Sequence, residues 1–257
     1  MLFTFWIYTY AILLVIGSLF NLKQAKRFIQ QPSTDETRRK IFETPMRVSQ
    51  KVIQKSGTNV HVTGRENIPD GPVLYVANHQ GLFDILAILG HLGRPVGFIA
   101  KKEIKKLPII STWMELLQCV FIDRSDRRQS MNAINQGIEN LKNGHSIVIF
   151  PEGTRSRGTK LNEFKPGSLR LATKAKVPIV PVTINGTYKM LEEENGRVKG
   201  TTIYMTIHKP ILPEQFISLK SAELAAKLQG IVQSALPLND VLSNEDASNE
   251  DIVIHTH

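Results

Sequence analysis

Ser146-Ile147-Val148-Ile149-Phe150 runs directly into Pro151-Glu152-Gly153-Thr154-Arg155. An apolar, β-branched run stopped by proline and glycine predicts a buried strand that ends in a turn. That turn carries a carboxylate and a guanidinium. The arrangement recurs along the chain. Val73–Ala77 leads into Asn78-His79, Val96–Ala100 into Lys101-Lys102-Glu103, and Cys119–Ile122 into Asp123-Arg124. Ile179–Ile184 and Thr202–Ile207 are further strand candidates, and helical stretches at 84–92, 127–143 and 166–176 separate the runs. Strands alternating with helices predict an α/β fold, with a mostly parallel central sheet flanked by helices. Ligands of such sheets bind beyond the carboxyl ends of the strands. Four successive runs deliver ionisable or hydrogen-bonding groups to those ends, more than ordinary loop polarity explains.

Composition narrows the class. The chain has 257 residues, of which 42% are hydrophobic, so it is not a disordered polymer. The 17 glycines and 13 prolines are ordinary, and the single cysteine, Cys119, excludes a disulfide framework or a Cys-based zinc site. A net charge of +9 asks for an anionic partner: nucleic acid, a membrane surface or a small substrate. Nucleic acid fits worst, because aromatic stacking groups are few (7%) and many lie in the first twenty positions.

The charge is unevenly placed. Residues 2–20 carry none, which is near the roughly 20 apolar residues that span a bilayer as a helix. Trp6, Tyr8 and Tyr10 sit toward one end, as interfacial aromatics do. No basic residue precedes the run and no small-x-small cleavage site follows it, which disfavours a signal peptide. A membrane anchor, spanning the bilayer or deeply embedded in one leaflet, is the expectation. Lys23, Lys26 and Arg27 follow at once, placing the rest of the chain on the cytoplasmic side. Residues 36–56 place Ile41, Phe42, Pro45, Val48, Val52 and Ile53 on one helical face, with Pro45 expected to bend it or begin a new segment. The face suits either packing on the domain or lying on anionic lipid, and the neighbouring anchor favours lipid. The chain thus divides into a membrane-binding segment (1–57), a catalytic domain (58–240) and a polar, acidic tail (241–257), the last expected to be disordered.

His79 and Asp84 form the most suggestive pair. Five positions apart, they would point about 140° apart on one helix, so the pair works with His79 in a turn and Asp84 in the first helical turn. Gly81 supplies backbone freedom for that turn. Asp84 then holds one imidazole nitrogen and leaves the other as a general base. The spacing alone is weak, and a structural histidine with a capping aspartate fits it too. There is no G-x-S-x-G elbow, phosphate-binding G-x-x-x-x-G-K-[ST], H-E-x-x-H or other metal spacing. A His/Asp base acting on a substrate hydroxyl, with no protein nucleophile, is the simplest chemistry left.

Read together, the segments resemble the glycerolipid acyltransferase family, and most closely its 1-acylglycerol-3-phosphate acyltransferases. The blocks are Asn78–Asp84 (N-H-x4-D), Phe98–Ile104 through Pro108 and closing with Phe121–Arg124, Phe150–Ser156 followed by Phe164–Gly167, and Val177–Val182. They cover about residues 58–210 in family order. Ser111 and Gln118 stand where the family often has glycine, and Ile104 where it has leucine, which touches acyl-chain preference rather than chemistry. The resemblance implies acyl transfer from an acyl-carrier-protein or coenzyme A thioester to the sn-2 hydroxyl of lysophosphatidic acid, with no other cofactor and no metal. His79 and Asp84 would be the base and its orienting partner. Arg155 is the first candidate for the substrate phosphate, with Arg124 and Lys101 next and Lys102 and Lys165 behind them. Glu152 would hold Arg155 or a backbone amide, or touch the glycerol hydroxyls. Gly153 would let the backbone approach the ligand. Glycerol 3-phosphate, another lysophospholipid or an acylated sugar remain as rival acceptors. A basic, membrane-tethered binding protein is the non-catalytic rival.

Overall fold

The computed structural model describes residues 1–123 and 125–237; Arg124 and the acidic tail lie outside the described residues. A seven-stranded sheet forms the centre, in the order β1-β7-β6-β2-β5-β3-β4. The strands are β1 (Asn59–Thr63), β2 (Leu74–Ala77), β3 (Gly97–Lys101), β4 (Val120–Ile122), β5 (Ile147–Ile149), β6 (Ile179–Asn185) and β7 (Thr202–Ile207). The β6–β7 pair is antiparallel and the other neighbours are parallel. The predicted α/β class is therefore what forms. β1, Asn-Val-His-Val-Thr, was not singled out in the sequence because its outward residues are polar and it lies at the sheet edge.

Alternation along the strands divides the core in two. Tyr75 and Ala77 of β2 face one side, with helix α3 (Asp35–Lys55) and helix α4 (Asp84–His91); there they join Phe42, Val52, Ile53, Ala87 and Ile88. Leu74 and Val76 face the other, with Ile147 and Ile149 of β5. They meet helices α6 (Arg127–Lys142), α7 (Arg170–Ala175) and α8 (Ser221–Gln233) through Ile138, Leu171, Leu224 and Leu228. Each helix has local reasons to start where it does. Thr34 caps α3 by accepting from the Thr37 amide, and the Asp126 carboxylate accepts from the amides of Arg128 and Gln129 to open α6. Pro108 begins helix α5 (Pro108–Leu116), at a position where a missing N–H costs nothing.

Two expectations for the N-terminal region change. The uncharged run is not one straight helix. Helix α1 (Leu2–Gly17) and helix α2 (Leu19–Phe28) meet at Ser18 with a 46° bend, and no single described helix is long and apolar enough to cross a membrane. The Ser18 hydroxyl donates back to the Val15 carbonyl at 2.6 Å and accepts from the Trp113 indole at 2.8 Å, which fixes the break. The 16 residues of α1 span about 24 Å, short of a bilayer core of about 30 Å. By length and composition only the bent pair together meets the requirement. Ile7 is buried on the body, while Phe5, Ile12, Leu13, Ile16, Leu19 and Phe20 remain exposed.

The second change concerns α3. Its apolar residues Ile41, Phe42, Val52 and Ile53 are buried inside the protein, so the face expected to lie on lipid is already occupied. α3 continues through Pro45. Although it lies before residue 58, it shares the core of the sheet.

Candidate active site

The carboxyl ends of β2, β5, β3 and β4 lie side by side along one edge of the sheet. β2 runs into Asn78, whose buried amide donates to the Ile184 carbonyl at 2.8 Å and accepts from its N–H at 2.7 Å. These two bonds lock the strand end to β6 and aim the next residue outward.

That residue is His79. Its Nδ1 lies 2.6 Å from Asp84 Oδ2. Asp84 is the first residue of α4, where the helix dipole favours a negative charge. It is fully buried, at 0% exposure, and its oxygens also accept from the Gly81 amide and the Thr187 hydroxyl. With the carboxylate oxygen as acceptor, Nδ1–H donates and Nε2 carries the lone pair. The imidazole stacks on Phe150 with ring centroids 4.2 Å apart. This holds the ring in one plane and offers a π face to the imidazolium when it forms.

The turn after β5 is tied to this loop. The Ser156 amide donates to the His79 carbonyl at 2.7 Å, and the Arg157 amide to the Gln80 carbonyl at 3.2 Å. Glu152 is 1% exposed. Its Oε1 accepts from the His79 amide at 2.6 Å and its Oε2 from the Asn162 amide at 2.8 Å. Burial pushes its carboxyl up, against the two backbone N–H bonds that pull it down. Of the partners considered for Glu152, the structure shows backbone amides, one of them that of His79. Gly153 has φ +74°, a left-handed conformation that suits glycine.

Arg155 does not pair with Glu152. Its Nη1 donates to Glu192 Oε1 at 2.8 Å, while the side chain stays 39% exposed at the rim. The same Oε1 accepts from the Leu82 amide at 2.9 Å. Gly81 makes no left-handed turn, and the Glu192 carboxylate lies close over it. A Cβ at Gly81 would meet Glu192 Oε2 at 2.5 Å.

Lys101, at the end of β3, is exposed, two strands from β2. Its neighbour Lys102 is drawn instead to Asp123, at the end of β4. Lys102 and then the Ser125 hydroxyl hold the Asp123 carboxyl down, at about 2. Arg124 falls outside the described residues. Cys119 is buried beneath, its thiol pushed up to about 12 by desolvation, so it is no nucleophile.

Thr187 and Glu192 escaped the sequence reading. Both lie in the β6–β7 connection, in Gly186–Gly200, where nothing in Tyr-Lys-Met-Leu-Glu-Glu-Glu-Asn marks one glutamate from the next. The antiparallel β6–β7 turn is what returns this segment to the catalytic edge. Gln80 belongs to the same lattice, accepting from the Gly186 amide at 2.9 Å.

Comparison with known proteins bears directly on this constellation. The family description Acyltransferase matches residues 59–185. The "probable 1-acyl-sn-glycerol-3-phosphate acyltransferase" of Mycoplasma pneumoniae is 31% identical over 225 residues, 83% of this chain and 83% of that protein. The chain belongs to the glycerolipid acyltransferase family. The 1-acyl-sn-glycerol-3-phosphate acyltransferase of Saccharomyces cerevisiae is 36% identical over 177 residues, 67% of this chain; the match spans only 58% of that longer protein. The fold of this acyltransferase is shared with the crystal structure of the 1-acyl-sn-glycerophosphate (LPA) acyltransferase PlsC from Thermotoga maritima. That match has a TM-score of 0.78 and 30% identity, and covers 91% of this chain and 94% of that one.

Proposed function

We propose that this acyltransferase moves a fatty acyl group from an acyl thioester to the sn-2 hydroxyl of lysophosphatidic acid, forming phosphatidic acid. The observation that carries the reading is the His79–Asp84 pair at the end of β2, with Arg155 hydrogen-bonded into the same loop through Glu192. His79 Nε2 takes the hydroxyl proton as the oxygen attacks the thioester carbonyl. Asp84 keeps the ring in the required tautomer and stabilises the imidazolium. Collapse of the tetrahedral intermediate expels the thiolate, which takes the proton back from His79. No acyl-enzyme forms, in keeping with the burial of Cys119. The acyl group arrives ready activated as a thioester on coenzyme A or acyl-carrier protein, so no other cofactor enters the step. The Arg155 guanidinium receives the acceptor phosphate, for which its planar fork is suited. Lys101 adds positive charge along the same edge, and Gly153 lets the backbone come close to the acceptor.

The exposed apolar side of α1 and α2 supports a seat in the membrane, with Lys23, Lys26 and Arg27 at the cytoplasmic surface and the sheet beside them. The acceptor would then be taken directly from the leaflet.

The decisive experiment gives purified full-length protein a panel of lysophosphatidic acid, glycerol 3-phosphate and other lysophospholipids with both donor types, with products read by mass. Phosphatidic acid from lysophosphatidic acid is expected, falling about 10²–10⁴-fold in His79→Ala. Turnover of glycerol 3-phosphate alone, or a wild-type rate in His79→Ala, would overturn the assignment.

A further inference from the structure

A carboxylate is seldom buried without cause. Glu192 has a side chain only 5% exposed, yet its partner Arg155 is 39% exposed. Most ion pairs of this protein are surface pairs that add little, such as Lys199–Glu194 at 2.6 Å in the same segment. Glu192 differs in three ways. One oxygen, Oε1, serves two donors on different loops: the Arg155 guanidinium and the Leu82 amide. Leu82 lies between His79 and Asp84, so this oxygen joins the phosphate-seeking arginine to the loop that holds the base. The other oxygen, Oε2, is buried with no hydrogen-bond partner. It is pressed over Gly81, where a methyl group would stand 2.5 Å away. The segment is itself held in place. The Lys199 amide donates to the Met190 carbonyl at 3.0 Å, and the Val198 amide to the Thr4 hydroxyl of α1 at 2.9 Å.

This buried carboxylate pairs, among the described residues, with the Arg155 guanidinium. It therefore holds one edge of the guanidinium firmly while the rest faces solvent. Of Arg155's donors, Nη1 is committed to Glu192; the exposed portion is left to meet a second anion.

We propose that Glu192 is a positioning residue for the acceptor phosphate: through Arg155 and the Leu82 amide it fixes the phosphate-binding guanidinium at a set distance from His79. It thereby registers the sn-3 phosphate against the sn-2 hydroxyl. This rests on the reading of Arg155 as the phosphate-binding group, and it adds a requirement that the motif residues do not contain. Entropy is what Glu192 removes, since a long arginine side chain at the rim otherwise samples many rotamers before binding.

The test is steady-state kinetics of full-length protein in mixed vesicles, varying lysophosphatidic acid at saturating acyl thioester. Glu192→Ala should raise the KM for lysophosphatidic acid by about tenfold or more, with kcat within about threefold and the KM for the thioester unchanged. Glu192→Gln keeps an oxygen to accept from Arg155 and Leu82, and should stay within about threefold of wild type. Arg155→Ala should raise the same KM, and Arg155→Ala/Glu192→Ala should raise it no further, because both residues act through one contact. Partial misfolding would lower kcat by reducing active enzyme and leave KM alone, so it does not imitate the result. An unchanged KM in Glu192→Ala beside a raised KM in Arg155→Ala overturns this proposal and leaves the phosphate assignment standing. Fully additive effects also overturn it. An unchanged KM in Arg155→Ala, or no acylation of lysophosphatidic acid by the wild type, removes the reading on which it rests and the proposal with it.

Discussion

Asn78 shows how one residue prepares a site without touching the reaction. Its amide replaces a missing rung of the ladder between β2 and β6, satisfying both the N–H and the carbonyl of Ile184. Asn78→Ala leaves a buried donor and a buried acceptor unpaired, which costs about 2–3 kcal/mol in urea denaturation. Activity should fall with it, because His79 leaves the sheet at the next position. The pairing was legible at this scale: the spacing works with His79 in a turn and Asp84 at a helix start, and Asp84 does open α4 and meet His79. What spacing did not show is the company each keeps. Glu152 was open to three roles because sequence places it near Arg155 in number, while burial beneath His79 gives its oxygens to backbone amides. Arg155 took its partner from 37 positions away, which no local pattern reports.

At the scale of elements, β2 to β7 were legible because each is an apolar, β-branched run closed by a polar turn, which β1 is not. The lipid-facing reading of α3 failed because an apolar face says that something will cover it, without naming the cover. For α3 the cover is α4 and the sheet; for α1 only one side is covered. The bend at Ser18 was equally hidden, since a serine within an apolar run shows its back-bond to Val15 only once Trp113 is placed. The exposed side of α1 makes a sharp expectation. Leu13→Asp and Ile16→Asp together should abolish co-sedimentation with anionic vesicles, each charge costing about 2.5 kcal/mol or more in an apolar phase. The melting temperature should stay near wild type, because neither residue is buried in the protein. Retained vesicle binding would move the membrane contact elsewhere.

The molecule as a whole carries a pH signature. Desolvation holds His91, His145 and His208 below the ordinary histidine value of 6.5. Each protonates more readily when unfolded, so the unfolded chain binds more protons as the solution acidifies. The stabilising effect is complete above 6.5 and is lost as pH falls through the lower folded values. The melting temperature should therefore decline from about pH 6.5 downward, and His208→Gln should flatten that slope in a calorimetric series. Asp123 acts in a separate window, its contribution lost only as pH falls toward about 2.

One pairing in the sheet has a consequence for how such a protein can diversify. Because β7 runs antiparallel to β6, the segment between them hangs at the catalytic edge and returns to its neighbour without crossing the sheet. A hairpin tip of this kind tolerates insertions, each doubling of its length costing only about 0.6 kcal/mol in closure entropy. The turn holding His79 and Asp84 has no such latitude, since one added residue would part the imidazole from its carboxylate. The segment that carries Thr187 and Glu192 can thus lengthen, while the turn that carries His79 and Asp84 cannot.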